Sequence, residues 1–295
     1  MERYCHVTGK KQDKKLMPPP WLVYPEIDRY SIGWRMGYGE DYMCRFVDWL
    51  NTLPPEERTE YRTLFPEPVT WKGWWDDRKS EEVLKYGYFK VNVWQPEGQP
   101  KFTYQRLQQE LAAGKMRELR LFWEHQPAEN DQLTIGCLSQ LWMEDFHFFS
   151  DPYHCMEQYM MAFKAQLFDD EEIRWEILKC NDPKLCRDLG RRVRGFDQTV
   201  WDKFKYSIVL NGNWRKFSQN QDLREFLLST GDSVLVAASP SDDIWGIRLA
   251  ASSPEDQNQI GWQGQKLLGF ALMEVRDELR RVKQNEMLCD WNFVK

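Results

Sequence analysis

The sequence predicts a mostly helical α+β protein with little sheet. Three observations carry that expectation. Amphipathic segments with helix start and stop signals fill most of the chain beyond residue 100. Only short apolar stretches, such as SVLVAAS at Ser233–Ser239, read as strands. The chain also lacks any internal repeat or low-complexity tract.

Turn formers break up the first hundred residues: PPP at Pro18–Pro20, GYGE at Gly37–Glu40, PPEE at Pro54–Glu57 and PEP at Pro66–Pro68. Between them the pattern predicts helices over Asp41–Leu53 and Glu56–Leu64, then a strand near Tyr88–Trp94. PEGQPKF, Pro96–Phe102, is the best domain boundary. It separates an accessory region, residues 1–105, from a second domain, residues 106–295. A helix follows at Tyr104–Ala113, stopped by Gly114, and then a strand at Glu118–Trp123. The helical series continues through Tyr153–Phe168, Asp170–Cys180 and Asp182–Leu189, the last with Pro183 in its first turn. Asp197–Phe217, Gln221–Ser229 and Gln265–Gln284 complete it, with the Ser233–Ser239 strand between the last two.

Composition bounds the function. A chain of 295 residues buries one full core and leaves room for a second. It is 42% hydrophobic and 29% charged, and no apolar run approaches a bilayer-spanning length, so no membrane partner is expected. The opening MERYCHVTGKKQDKKLMPPPW is basic but lacks a following apolar segment, which argues against a signal peptide. Seven scattered cysteines with no C-x-x-C pair argue against a disulfide framework or a zinc ribbon, and for a reduced, cytoplasmic setting. His147 and His154 lie near Asp145 and Asp151 without ligand spacing, so neither a metal nor a cofactor is expected. Cys155 has no basic partner and falls on the polar side of its helix, which speaks against thiol catalysis. A net charge of −6 excludes a simple basic nucleic-acid binder but leaves room for local basic patches. The 15 tryptophans serve packing, or stacking on bases and sugars.

The helix YHCMEQYMMAFKAQLF, Tyr153–Phe168, poses the sharpest question. Met156, Met160, Met161, Phe163, Leu167 and Phe168 define one apolar face. Glu157 and Lys164 fall inside that face, about 20° apart around the helix and roughly 10 Å apart along it. Gln158, Ala162, Ala165 and Gln166 fall on the opposite side. Desolvating two ions is costly, so they are either a buried structural ion pair or a functional site. Three loops add to the second reading. GCLSQLW, Gly136–Trp142, is a polar turn between apolar residues. SPSDDIWG, Ser239–Gly246, places Asp242 and Asp243 between a buried strand and Trp245–Gly246. NQIGWQGQK, Asn258–Lys266, is a glycine-rich entry to the last helix whose free N–H groups suit an anion. Carboxylates beside an aromatic fit acid/base work on a flat or sugar-like ligand, although a turn with a capping carboxylate explains the aspartates equally well. Arg187, Arg191, Arg192 and Arg194 in RDLGRRVRG suit either phosphate binding or a solvated helix end.

Seven ordered motifs extend these features: LFW at Leu121–Trp123, GCLSQLW at Gly136–Trp142, EQYMMAFKA at Glu157–Ala165 and LGRRVRGFDQTVW at Leu189–Trp201. KFSQN at Lys216–Asn220, TGDSVLVAASPSDDIWGI at Thr230–Ile247 and GWQGQKLLGFALMEVRDEL at Gly261–Leu279 follow. Over just over half of its length the chain closely resembles the NADAR family, also called YbiA-like proteins. The resemblance implies a helix-rich α+β module that cleaves N-glycosidic bonds. Family activities are of two kinds: hydrolysis of a ribosylamino-pyrimidine intermediate of riboflavin synthesis, and removal of ADP-ribose from guanine in nucleic acid. The second serves as an antitoxin to DarT-type ADP-ribosyltransferases. A non-catalytic sensor of ADP-ribose or NAD is a third reading of the same pocket.

The family's E-x-Y-x-x-A-x-K pattern falls on Glu157, Tyr159, Ala162 and Lys164. The resemblance thus implies that Glu157 handles protons and that Lys164 either forms a Schiff base with an opened ribose or binds charge. Asp243 is the expected second carboxylate and Trp245 the stacking platform. Arg191 and Gly264 are expected at the pyrophosphate, and Trp201 fits the family pattern as a ligand contact or a packing residue. Trp123, Ser139, Gln140, Gly246 and Lys266 complete the expected binding set. Two positions depart from the family. Lys266 stands where the final motif usually has Asn, and Ser139–Gln140–Leu141 replaces a common Ser-Asn-Phe. The Ser-Gln form favours the ADP-ribose-directed members. The expected partners are therefore ADP-ribosylated nucleic acid, DNA before RNA, and a cognate ADP-ribosyltransferase toxin. Residues 1–105 carry no comparable motif and suit nucleic-acid docking, partner binding, or packing that completes the catalytic core.

Overall fold

The computed structural model describes residues 16–76, 94, 100–123, 133–248 and 264–294. The strand expected near Tyr88–Trp94, apart from Trp94, and most of the Pro96–Phe102 boundary lie outside these residues. In chain order the regular elements begin with helices α1 (Pro20–Val23), α2 (Gly33–Met36), α3 (Tyr38–Thr52), α4 (Pro55–Leu64) and α5 (Tyr104–Ala112). Strands β1 (Leu119–Phe122), β2 (Phe146–Phe148) and β3 (Asp151–Tyr153) follow. Then come α6 (Met156–Leu167), α7 (Glu171–Leu178), α8 (Pro183–Arg191), α9 (Gln198–Gln219), α10 (Gln221–Ser229), β4 (Val234–Ala237) and α11 (Leu267–Lys283). This is the expected helix-rich α+β fold.

Polar residues set the helix starts. Thr103 Oγ1 accepts the Arg106 N–H, Asp170 Oδ1 the Ile173 N–H, Asp182 Oδ1 the Lys184 N–H and Asp197 Oδ1 the Val200 N–H. Helix α6 starts three residues later than the apolar pattern implies. Tyr153 is taken by the antiparallel pair β2–β3, and Cys155 caps the helix through its sulfur, 3.4 Å from the Gln158 nitrogen.

Helix α6 is also buried on every side, which corrects the one-faced stripe read from the sequence. Gln158, Ala162 and Ala165 are as buried as Met156 and Phe163. Gln158 is tolerated because its amide Nε2 donates to the carbonyls of Ile177 and Cys180 at 3.1 and 2.9 Å, ending α7. Cys155 is likewise buried, not on a polar face. Helices α7, α8 and α9 pack around α6, so it is the axis of the module.

Strands β1 and β4 form a parallel pair with Leu119 opposite Val234 and Phe122 opposite Ala237. Helix α11 lies against β4 with Gly269 at the crossing. A Cβ there would drive into the carbonyl of Leu235, backbone that has no room to retreat. Residues 16–76 pack onto this module and share its apolar cluster. The buried carboxylate of Asp28 receives Arg215 Nη2 at 2.8 and 3.0 Å, tying the region to α9. Glu278 on α11 accepts the Val69 N–H at 2.7 Å, and Asn285 donates to the Leu64 carbonyl at 2.8 Å. The tryptophans here serve packing: Trp71 meets Trp21 at 5.3 Å and Trp34 at 5.5 Å between ring centroids. No helix among the described residues is long and apolar enough to cross a membrane.

The crossing at Gly269 gives a direct test. Gly269→Ala adds a methyl where backbone already stands, so it should cost about 1–3 kcal/mol of stability. A lowered urea midpoint in the variant is the expected result, and an unchanged midpoint would contradict the packing described.

Candidate active site

The parallel strands deliver their carboxyl ends to a cavity of about 500 Å³. Trp123 follows β1 there, and Ser239 to Gly246 follow β4. Crevices at the carboxyl ends of parallel strands are recurrent ligand sites, because the strand pair fixes the loops that leave it. Helix α6 supplies Glu157, Met160, Met161 and Lys164, while α8 supplies Lys184, Arg187 and Arg191. Ser139 and Gln140 enter from the loop that the sequence marked as polar.

Glu157 is 2% exposed. Its two oxygens receive the Arg187 fork, Nε at 3.0 Å and Nη2 at 3.2 Å, while its backbone N–H donates to the Gln140 carbonyl. Burial pushes its carboxyl pKa up, the Arg187 bonds pull against that rise, and the nearby Asp242 carboxylate adds to it. Glu157 and Lys164 therefore share a cavity without being each other's partner. Lys164 Nζ donates to the Gly190 carbonyl at 2.8 Å and stands 4.4 Å from the Phe196 ring centroid. Burial, and then Arg191, lower its pKa.

Lys216 organises the loop above. It is fully buried on α9 and donates Nζ to the carbonyls of Cys137 and Ser139 at 2.8 and 3.2 Å. Burial pulls its pKa down to about 8. This cation holds Ser139 and Gln140 at the cavity. The Gln140 side-chain oxygen is buried there with no hydrogen-bond partner among the described residues, an acceptor open to a ligand N–H.

The structure brings Trp123, Ser139, Gln140, Glu157, Lys164, Arg191, Trp245 and Gly246 to the cavity. It does not bring Asp243, Trp201, Gly264 or Lys266 there. Asp242 is the lining carboxylate: its Oδ1 accepts the N–H groups of Ile244 and Trp245 at 3.0 and 2.8 Å, which turns the loop and seats Trp245. Asp243 instead receives the Gln265 N–H on its carbonyl at 2.7 Å. Gly264 has φ +84°, and a Cβ on it would strike the carbonyl oxygens of Gly246 and Asp243, so it buttresses the loop from behind. Lys266 is buried beside that turn, donating to the Gly264 carbonyl at 3.0 Å and lying 3.8 Å from the Tyr104 ring centroid. Trp201 is a buried neighbour of Lys164, 5.8 Å from its Nζ.

The sequence placed Arg187 among candidate phosphate ligands. Its pairing with Glu157 joins two helices 30 residues apart, which no local period reveals. Of the other arginines, Arg194 binds Asp170, holding that carboxyl down at about 2, and Arg192 lies 3.7 Å from Glu176; neither lines the cavity. No cluster of metal-ligating side chains occurs among the described residues. Burial pushes the Cys155 thiol up to about 11.

Comparison with known proteins follows the same geography. The NADAR domain family model matches residues 121–280, which hold every cavity-lining residue named above. The chain is similar to an N-glycosidase of Acanthamoeba polyphaga mimivirus, 49% identical over 126 residues, or 43% of this chain and 74% of that protein. It is similar also to an N-glycosidase of Nostoc punctiforme, 31% identical over 147 residues, 50% of this chain and 87% of that one. The NMR structure of the E. coli protein YbiA aligns with 57% of this chain and 89% of its own at 23% identity and a TM-score of 0.43.

The buried Lys216 has a measurable signature. Between pH 8 and 10 the unfolded chain holds a proton that the folded state has released, because the ordinary lysine value is 10.5 and the folded one about 8. Folded stability contributed by this group therefore rises with pH across that window. Urea midpoints should show the wild type gaining about 2 kcal/mol on Lys216→Met from pH 8 to 10. Parallel pH curves for the two proteins would contradict the assignment.

Proposed function

The chain belongs to the NADAR domain family, and we propose that it is an N-glycosidase that removes ADP-ribose from guanine bases of nucleic acid. The single observation that carries this reading is Glu157: a carboxyl with a raised pKa, buried in a cavity that also holds a second carboxylate, cations and aromatic rings. The N-glycosidase names borne by relatives agree with the reaction class.

The chemistry follows from what an N-glycosidic bond requires. As the bond from ribose C1″ to the guanine nitrogen breaks, its electron pair leaves with the nitrogen, which needs a proton, and positive character gathers at C1″. Glu157 supplies the proton, and its burial holds the carboxyl nearer the working pH than an exposed glutamate would be. Water adds to C1″ and returns a proton to the carboxylate. Asp242 stabilises the cationic carbon or orients that water. Its Oδ1 is occupied by two backbone N–H groups, while Oδ2 makes no hydrogen bond among the described residues. Lys164 is held by the Gly190 carbonyl and the Phe196 ring, two contacts suited to an ammonium, against the lowering of its pKa by burial and Arg191. With Arg191 and Lys184 it lines the part of the cavity where the diphosphate would lie, and an anion there would restore its charge. Trp245 and exposed Trp123 offer faces for the bases, and the Gln140 oxygen accepts from a base N–H. The corresponding partner is a toxin that installs ADP-ribose on nucleic acid.

The test uses an oligonucleotide carrying ADP-ribosyl-guanine, followed by mass spectrometry. Wild type should remove the ADP-ribose mass and regenerate guanine. Glu157→Gln keeps a polar partner for Arg187 but has no proton to donate, and should act about 100-fold more slowly or worse. Equal turnover by the variant would overturn the role of Glu157. An intact oligonucleotide with wild type would overturn the substrate and direct the search to small ribosylamines.

A further inference from the structure

The same parallel pair has a second end. At the amino ends of β1 and β4, roughly 10 Å from the first site along the strands, lies another cavity, of about 570 Å³. It is lined by Lys101, Arg106, Lys115, Arg117, Arg120 and Arg276, against three carboxylates, Glu118, Asp232 and Asp277. Glu110 pairs with Arg106 and Arg117 from beside it, and the cations still outnumber the carboxylates. That excess is unexpected in a chain of net charge −6.

Arg276 is the centre of the argument. It is 1% exposed, and its guanidinium donates to two neutral acceptors, Thr230 Oγ1 at 2.7 Å and the Ser233 carbonyl at 2.9 Å. No carboxylate pairs with it among the described residues, and its Nε is buried without a partner. The Nε atoms of Arg117 and Arg120 are buried without a hydrogen bond as well, although Arg120 Nε stands 3.3 Å from Glu118 Oε1 and Arg117 Nη2 stands 2.9 Å from Glu110, so each fork is only partly engaged. A buried guanidinium without an anion is costly, and one reason to retain it is that an anion arrives. Burial, followed by Arg280, pulls the Arg276 pKa down to about 10 despite the opposing pull of Asp277 and Asp232, and a bound anion would reverse that direction. Lys115 is exposed at the rim and has no ion-pair partner among the described residues.

We propose that this cavity is a second anion site that takes a phosphate group, either a phosphodiester of a nucleic-acid strand or free phosphate, separate from the glycosidase cavity. Its ligands would be the guanidinium forks of Arg117, Arg120 and Arg276, with Lys115 as a point charge at the edge. A phosphate has the oxygens to occupy several donors at once, which a single carboxylate lacks.

The experiment reads binding on the full chain, so its failure is distinguishable from failure of the glycosidase reading. Two probes are used: a fluorescently labelled, unmodified single-stranded oligonucleotide, followed by anisotropy at several salt concentrations, and inorganic phosphate, followed by calorimetry. The variant is Lys115→Glu with Arg120→Gln, with its urea midpoint measured to confirm folding. A tenfold or greater loss of oligonucleotide affinity, with the salt slope reduced by about 2, supports the site and assigns it to a strand. Weakened binding of inorganic phosphate alone supports the site and assigns it to the free ion. Unchanged binding of both probes, or no binding of either to the wild type, overturns it. Arg276→Lys is the second variant: it keeps the charge and loses the fork, and should weaken whichever probe binds by a smaller factor.

Discussion

Keeping the Glu157 carboxyl out of water beside a paired guanidinium is the constraint on which the rest of the module depends. The Arg187 fork must come from a different helix, which fixes α8 against α6. Gly190 makes that approach feasible, since a Cβ on it would collide with Met161, and its carbonyl then receives Lys164. Asp170 and Arg194 lock the far end of the same turn-rich segment, with both the Arg194 N–H and its guanidinium on the Asp170 carboxylate. Each of these contacts lets the helices approach closely enough to keep the carboxyl dry. The apolar neighbours of Glu157 are thus part of its chemistry: they raise its proton affinity, and Arg187 limits how far that rise goes.

A second organising element is the polarity of the two parallel strands. Because β1 and β4 run the same way, both loops at their carboxyl ends meet at one cavity and both segments at their amino ends meet at another. The carboxyl-end cavity holds the buried acid, and the amino-end cavity has an excess of guanidinium groups. Lys216 and Arg276 play related parts at the two ends. Each is a buried cation that donates to neutral oxygens, Lys216 to those of Cys137 and Ser139, and Arg276 to those of Thr230 and Ser233. Lys216 thereby shapes a loop of the first cavity, and Arg276 the turn that borders the second.

Much of this was legible in the chain itself. Helix positions followed from capping residues and period, because Thr103, Asp170, Asp182 and Asp197 announce their helices locally. The oddity of Glu157 and Lys164 inside an apolar pattern pointed to a region of the fold where both line one cavity. What local reasoning missed depends on long-range geometry. The one-faced stripe failed because α6 is enclosed by three helices, and Gln158 is buried only because three helix-end carbonyls await it. The choice between Asp242 and Asp243 turned on which way a four-residue turn rolls, and the sequence shows two adjacent aspartates without that information. Arg187 read as either a phosphate ligand or part of a solvated helix end, because the carboxylate it pairs with lies in another helix. The β2–β3 hairpin was too short, at three residues a strand, to stand out from its surroundings.

The most direct measurement on the central claim is the titration of Glu157 itself. Carbon-13 labelling of glutamate side chains, with Glu157→Gln to assign the resonance, would follow its carboxyl as pH is varied in wild type and in Arg187→Gln. The account predicts a wild-type midpoint above the ordinary glutamate value of 4.5, and a higher midpoint still once the Arg187 charge is gone. A midpoint at or below 4.5 in the wild type would contradict it, because Arg187 would then outweigh burial and Glu157 would be a structural anion rather than a proton donor.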